Sequence, residues 1–342
     1  MNCNKIKIVL LNRQPAIGQV SIERVFRTIT SQLINDFMIT MISVPQSGVS
    51  IHSIIRNLLF SSKIHADIVH VTGDIHYCLF APRKCKKILT IHDLGGYHKV
   101  RAQGGIRSFI MWLLWGYIPL KIADRVTCIS RFTYEQVLND FPWVANKLSI
   151  IYDPLPLGFN FIPTANNVGK PVLLHLGTKT NKNLERLIEA LHGFSCHLRI
   201  IGRLTTLQCS LLNKYQIDYS NDYNLTDQQI IDEYKRCSIL CFISTMEGFG
   251  MPIIEAQAIG RPVITSNLAP MKDIANGAAL LVNPYDIQSI RDGIERLCSN
   301  SPLRSELIRL GLNNTTQFHA KHIADQYSKI YNEVIFANMS NR

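Results

Sequence analysis

The chain has 342 residues, a formal net charge of +11, 46% hydrophobic residues and 18% charged residues. That length is too great for one small core and suits two domains, and the apolar content excludes a disordered chain. The basic excess points to a polyanionic partner, whether nucleic acid, an anionic membrane surface or a phosphorylated small molecule, and does not choose among them. The nine cysteines are scattered without a C-x-x-C pair, so they read as reduced, mostly buried thiols of a cytoplasmic protein rather than zinc ligands.

In chain order, 1-MNCNKIKIVLLNRQP-15 lacks a long apolar h-region and reads as a first buried strand over 6–11, not a signal peptide. Further apolar, β-branched runs at 38–44, 68–71, 87–91 and 125–129 predict strands buried on both faces. The stretch 153-DPLPLGFNFIPTANNVGKP-171 is rich in proline and glycine and reads as an interdomain linker. Strands are then expected at 171–176, 197–201, 239–243, 262–265 and 279–282, with helices at 183–192, 226–237 and 286–298. Alternation of this kind argues for parallel sheets covered by helices. A last amphipathic helix is expected over 318–337.

The segment 244-STMEGFGMPIIEA-256 carries the chemistry. It follows a strand, and Pro252 suits the first turn of a helix that stops near Gly260. The loop therefore lies at the carboxyl edge of a parallel sheet, where doubly wound folds bind ligands. Gly248 and Gly250 allow backbone amides to approach a ligand, and the helix N-terminus behind them favours phosphate. Glu247 and Glu255, the latter expected in the first helical turn, fit as acceptors for sugar hydroxyls on either side of that phosphate.

E-G-F-G-M-P-I-I-E followed by A-x-A-x-G-x-P-V-I-T-S resembles the E-x7-E signature of glycosyltransferase family 4, which has the GT-B fold. 174-LHLGTKTNKNLERLIEAL-191 is similar to the family's lysine loop, 200-IIGR-203 to its base-side strand end, and 266-SNLAPMKDIANGAALLVNPYD-286 to the segment beyond the sugar loop. In the first half, 91-IHDL-94 and 123-ADRVTCISRFT-133 look like shorter family segments. The resemblance implies an α/β, GT-B chain of two Rossmann-like doubly wound domains facing a central cleft. An acceptor-binding domain would cover 1–160, a nucleotide-sugar domain 161–320, and a helix over 321–342 would cross back to the first domain.

It also implies a retaining, metal-independent hexosyltransferase without cofactor, using a UDP- or GDP-linked sugar and a glycan or lipid-linked acceptor. The expected setting is bacterial O-antigen or capsule synthesis on the cytoplasmic side. By the family pattern Glu255 would hold the ribose, while Glu247 and the amides around Phe249, Gly250 and Met251 would hold the transferred sugar. Lys182 would neutralise the diphosphate and His92 would lie near the reacting sugar. Gly18, Gly177, Gly202, Arg203, Gly248, Pro252 and Ile253 complete the expected donor site, and Asp74, His92, Asp93, Ser130 and Arg131 the acceptor side. Thr178 stands where the family often carries an arginine.

Other readings stay open. A GT-B epimerase would bind the same donor without an acceptor, and a non-catalytic nucleotide-sugar-binding protein would keep the site without turnover. A nicotinamide-dependent dehydrogenase is disfavoured because no G-x-G-x-x-G follows the first strand. His70, Asp74 and His76 carry metal-ligand types, set against a plain cleft-lining loop. The run 97-YHKVRAQGGIRSFIMWLLWGYIPLK-121, with 83-RKCKK-87 before it, suits a helix in an anionic membrane interface with Trp112 and Trp115 near the headgroups. Its alternative is a core helix with snorkelling basic neighbours. Nucleic acid is disfavoured because no binding motif accompanies the basic residues.

Overall fold

The structure, a computed structural model, describes residues 5–14, 21–163 and 169–336. Those residues form two compact units. The first contains the described chain up to Pro154 together with the terminal helix Ala320–Phe336, and the second runs from Leu155 to His319.

The first sheet contains β1 (Lys7–Asn12), β2 (Met38–Ser43), β3 (Ile68–Val71), β4 (Lys86–Ile91), β5 (Arg125–Cys128) and β6 (Leu148–Ile150). All neighbours pair in parallel, in the order β2-β1-β3-β4-β5-β6. The second sheet contains β7 (Val172–Leu176), β8 (His197–Ile201), β9 (Tyr219–Asp222), β10 (Ile239–Phe242), β11 (Val263–Ser266) and β12 (Leu280–Val282). It is also parallel, in the order β12-β11-β10-β7-β8-β9. Strand order reverses between β1 and β3 in one sheet and between β7 and β10 in the other. These switch points are where an open α/β sheet leaves a crevice beyond the strand ends.

The ten expected strands are present with ends displaced by a residue or so. β6 and β9 escape the sequence reading because they are short and lie at sheet edges. β9 has the sequence YSND and no fully buried residue. Burial on both faces holds for β3, β10 and β11, but edge strand β2 has no fully buried residue.

In the first unit one sheet face packs on the helices Ser21–Leu33 and Ala320–Phe336, with Phe26, Leu33, Tyr327 and Tyr331 in the core. The other face carries the helices of segment 51–147, around Tyr77, Trp115 and Val137. His70 lies wholly in the first core. Its ring nitrogens bond Tyr331 Oη at 2.9 Å and Thr90 Oγ1 at 2.7 Å. His76 Nδ1 meets the Trp115 carbonyl at 2.7 Å. Both imidazoles are thus engaged within the fold, and no metal-ligand cluster exists among the described residues.

Two expectations need correction. Much of the expected linker is bound to the second unit. Leu155 N donates to Phe318 O and Ile162 N to Ile259 O. Phe159 packs edge-on to Tyr234, and the Arg261 guanidinium donates to Ile162 O. Nor is 97–121 one helix. It breaks into Gly95–Arg101, Gly105–Met111, a π-helical turn Trp112–Tyr117 and Ile118–Ile122. Trp115 is buried against Tyr77, ring centroids 4.9 Å apart, so it has no exposed face for a bilayer. No described helix is long and apolar enough to cross a membrane.

Candidate active site

The loops after β7 and β10 meet at the second switch point. The chain leaves β7 at Gly177, whose φ of 90° favours glycine. A Cβ there would lie 2.9 Å from Lys182 Cγ, so glycine at this position leaves the path of the lysine stem open. Lys182 Nζ then reaches Glu247 Oε1 at 2.7 Å, both side chains being largely buried. The ammonium also lies 4.8 Å from the Phe242 ring centre. Asn181 braces the same pair, donating to Met246 O at 2.9 Å while its own carbonyl accepts from Thr245 N.

Asn183 follows, with a left-handed φ of 64° that asparagine tolerates better than most residues. Its side-chain amide donates to Ile243 O at 3.1 Å and Pro284 O at 2.7 Å, tying the loops after β7, β10 and β12 together. Thr178 Oγ1 donates to Arg203 O at 2.7 Å and fixes the loop after β8. Gly202 admits that contact, since a Cβ there would sit 2.8 Å from Thr178 Cγ2. The exposed end of this edge carries the Arg203 guanidinium stacked 4.9 Å from the centre of the Tyr223 ring.

The helix after β10 spans Met251–Ile259 with Gly250 before it and Pro252 in its first turn. From Ile253 to Ile259 it is buried on every side, which explains an apolar sequence without amphipathic periodicity. Ile253 and Phe249 are core residues, Phe249 standing edge-on to Phe318. Gly248 and Met251 keep partial exposure at the loop. Glu255 is the fifth helical residue, one turn deeper than the sequence suggests, and only 4% exposed. Its Oε2 accepts from the buried Tyr234 Oη at 2.7 Å. Beneath this edge His175 places Nδ1 3.2 Å from Cys241 O, and burial lowers its pKa to about 4, which keeps it neutral.

The residues expected to bind acceptor lie at the carboxyl edge of the first sheet. His92 follows β4, and its Nε2 bonds Thr72 O at 2.9 Å. Burial lowers its pKa to about 4, so Nε2 carries the proton and donates to that carbonyl. Asp93 Oδ1 accepts from Gly95 N within its own turn. Asp74 is exposed after β3. Ser130 is the buried N-cap of the helix Arg131–Asp140, its hydroxyl accepting from Thr133 N at 3.1 Å. Arg131 pairs with Glu135 at 2.9 Å on that helix's exposed face. Gly18 lies outside the described residues.

Sequence reasoning passed over Asn181, Asn183, Thr178 and Tyr234 as site builders. The K-N dipeptide of the lysine loop was a usable signal for Asn183. Nothing local in the sequence marks Tyr234 as the partner of a glutamate 21 positions on.

Two family models match consecutive parts of the chain: "Glycosyltransferase Family 4" over residues 37–158 and "Glycosyl transferases group 1" over 159–313. The chain belongs to the family 4 glycosyltransferases. Its fold is GT-B. This glycosyltransferase is 25% identical over 203 residues to the serotype-specific mannosyltransferase WbdA of Escherichia coli, covering 57% of the chain but 24% of that relative's length. It is 28% identical over 242 residues to the Escherichia coli O-antigen chain mannosyltransferase B, covering 62% of the chain and 61% of that relative. Anabaena HepE, solved in complex with UDP-glucose, superposes with a TM-score of 0.75 at 14% identity, covering 96% of this chain and all of that one. At that identity the likeness speaks for the fold.

Proposed function

We propose that the chain is a retaining glycosyltransferase that moves a hexose from a nucleoside-diphosphate sugar to a glycan or lipid-linked glycan acceptor. The setting is surface polysaccharide synthesis, such as O-antigen or capsule. The observation that carries this reading is the Lys182–Glu247 pair at 2.7 Å, at the topological switch point of the second sheet. Two mannosyltransferase relatives support the setting and make a mannosyl donor the first to test.

The leaving group is a nucleoside diphosphate whose negative charge grows as the glycosidic bond lengthens. Lys182 is aimed by Glu247, Asn181 and the Phe242 ring before any substrate arrives. A cation fixed in advance stabilises developing charge without reorganising, which is the largest catalytic contribution in most enzymes. A departing diphosphate needs no proton, so Glu247 serves as acceptor for sugar hydroxyls and holder of the lysine rather than as a general acid. Glu255, oriented by Tyr234, is assigned to the ribose hydroxyls. Arg203 and Tyr223 form the base-side edge. We assign acceptor recognition to the carboxyl edge of the first sheet, with His92 as a neutral group there, and we expect turnover without metal.

Calorimetric titration with UDP and GDP in chelator, followed by product analysis with a matched mannosyl donor, tests this. Binding of one nucleotide with transfer to a glycan acceptor is the expected result. Binding with isomerised donor and no transfer would make the chain an epimerase, and no binding by folded protein would remove the donor site.

A further inference from the structure

The second sheet has two edges, and the sugar-transfer reading uses only the carboxyl one. At the amino edge lies a cleft of about 930 Å³, within the roughly 300–1,000 Å³ typical of ligand sites. Part of its lining comes from Pro171, Ser238 and Pro262, which lead into β7, β10 and β11, and from Phe194 in the turn before β8. The rest comes from the junction of the helices Ile287–Ser299 and Ser301–Asn314. β7 has five residues and β10 four. Strands of that length put roughly 13–17 Å between this cleft and the loops that carry Lys182 and Glu247.

The lining mixes apolar surface with hydroxyls and one charge of each sign. Phe194 is half-buried and Pro262 buried. Ser195, Ser301 and Ser305 are exposed, and their hydroxyls bond nothing among the described residues. Arg304 Nη1 donates to Leu297 O at 2.7 Å and Cys298 O at 2.8 Å, so part of its charge is set against the carboxyl end of the helix Ile287–Ser299. Its Nε and Nη2 bond nothing among the described residues and are left as donors. Glu295 Oε1 is paired with Arg291 Nε at 2.9 Å, which leaves its second oxygen as an acceptor. An anion would want the N-terminus of the helix Ser301–Asn314, but that end is closed. Asn300 Oδ1 accepts from Leu303 N at 2.9 Å, Pro302 has no N–H, and Arg304 N returns to Asn300 O. An acyl chain would leave the hydroxyls, the guanidinium and the carboxylate without partners. A pyranose chain suits both kinds of surface. Each ring offers an apolar C–H face to phenylalanine and hydroxyls that both donate and accept, and ionised side chains bond such hydroxyls strongly.

We propose that this cleft is a second site for a neutral glycan chain, remote from the carboxyl edge assigned to the donor. Phe194 packs on a sugar face, while Ser195, Ser305, Arg304 and Glu295 hold hydroxyls. The identity of the occupant rests on the proposed function: it is the acceptor or product polysaccharide, gripped away from its growing end. Holding a chain at one point raises its effective concentration at another, so the polymer is offered again to the transfer site instead of being lost after each addition.

Biolayer interferometry of the full chain without donor, on surfaces carrying dephosphorylated yeast mannan or dextran, tests this. The expected result is binding to at least one of the two, of similar strength at low and high salt because the ligand is uncharged. S195W and S305W, which fill the cleft without removing a hydrogen bond, each weaken that binding by at least about tenfold. F194A weakens it in the same direction. Tm and the calorimetric affinity for UDP or GDP stay unchanged in S195W and S305W, which reports that they fold and keep the donor site. Glycan binding that these variants weaken, in a chain that binds no nucleotide, supports the cleft and faults the sugar-transfer reading instead. Binding to neither polysaccharide overturns the proposal. Equal binding by S195W, S305W and the unmodified chain overturns it by placing the glycan elsewhere, and binding that high salt abolishes overturns it in favour of an ionic contact.

Discussion

The carboxyl edges of the two sheets are built differently. In the second unit, side chains from one loop bond the backbone of another. Asn183 spans three loops, Asn181 and Lys182 reach 65 positions along the chain to the loop after β10, and Thr178 reaches Arg203. In the first unit, the expected site residues mostly bond within their own turn, as Asp93 does with Gly95 and Ser130 with Thr133. Cross-loop ties among its described residues run instead through neighbours of those positions: His92 to the Thr72 carbonyl, Thr133 to the His92 carbonyl, Thr72 to Asn12, His76 to the Trp115 carbonyl and Trp115 to the Asp74 carbonyl. A cross-braced edge holds one geometry for one ligand class, which in the proposed function is the diphosphate sugar. Locally closed turns let side chains change without disturbing neighbouring loops, which suits the acceptor role proposed for this edge.

The sharpest way to break this contrast is Lys182→Ala. If the braced edge does the electrostatic work, kcat falls about 10²–10³-fold, the roughly 2.7–4 kcal/mol typical of losing one preorganised donor. A loss confined to donor KM would demote Lys182 to ground-state binding. Next in size is Glu255→Ala, expected to weaken nucleotide-diphosphate binding by about 1.5–3 kcal/mol, the range for a charged hydrogen bond. Tyr234→Phe, which removes the 2.7 Å bond to Glu255, should follow in the same direction by about 0.5–1.5 kcal/mol. Unchanged titration of both, in folded protein, would take the ribose role from Glu255.

Smaller effects should mark the first unit. Ser130→Ala removes a helix N-cap and should cost about 0.5–2 kcal/mol of stability, seen as a lowered Tm. A rise in acceptor KM at constant Tm would instead restore Ser130 to the substrate site.

The pH dependence of the first unit sharpens the same point. Burial lowers His70 from 6.5 to about 3. Between those values the unfolded chain binds a proton that the folded chain does not, so stability falls as pH falls. Burial raises Asp153 from 3.8 to about 7. There the folded chain keeps a proton that the unfolded chain has lost, and stability falls as pH rises. Asp153→Asn removes the second slope alone. The variant should therefore gain Tm over the unmodified chain as pH rises from about 4 to 7, and a constant difference would place Asp153 in water.

Much of the carboxyl edge of the second sheet was legible in the sequence because its parts are local. G-F-G-M-P and G-T-K-T-N-K-N each announce a loop with its glycine, its charge and its helix start. Their meeting was not legible, since Lys182 and Glu247 are neighbours only through the pairing of β7 with β10. The depth of Glu255 was hidden as well. A glutamate near a helix start reads as a first-turn acid, and only the packing around Tyr234 shows that it belongs to the interior. The 97–121 run misled for a related reason. Its composition is uniformly apolar and basic, yet one tryptophan faces Tyr77 while another segment faces outward, a difference that arises from the break at Gly104 and the π-helical turn.

The strap formed by residues 155–163 has a consequence for anyone dividing this gene. A fragment starting at Pro171, where β7 is about to begin, would strip Phe159 from Tyr234 and Ile162 from both Ile259 and Arg261. The tyrosine exposed by that cut is the one holding Glu255. A fragment starting at Leu155 and ending at His319 keeps the strap, including the bond from Leu155 N to Phe318 O that closes its two ends on each other. The proline- and glycine-rich wording of the segment invites scissors in its middle; its bonds place the seam one residue before Leu155.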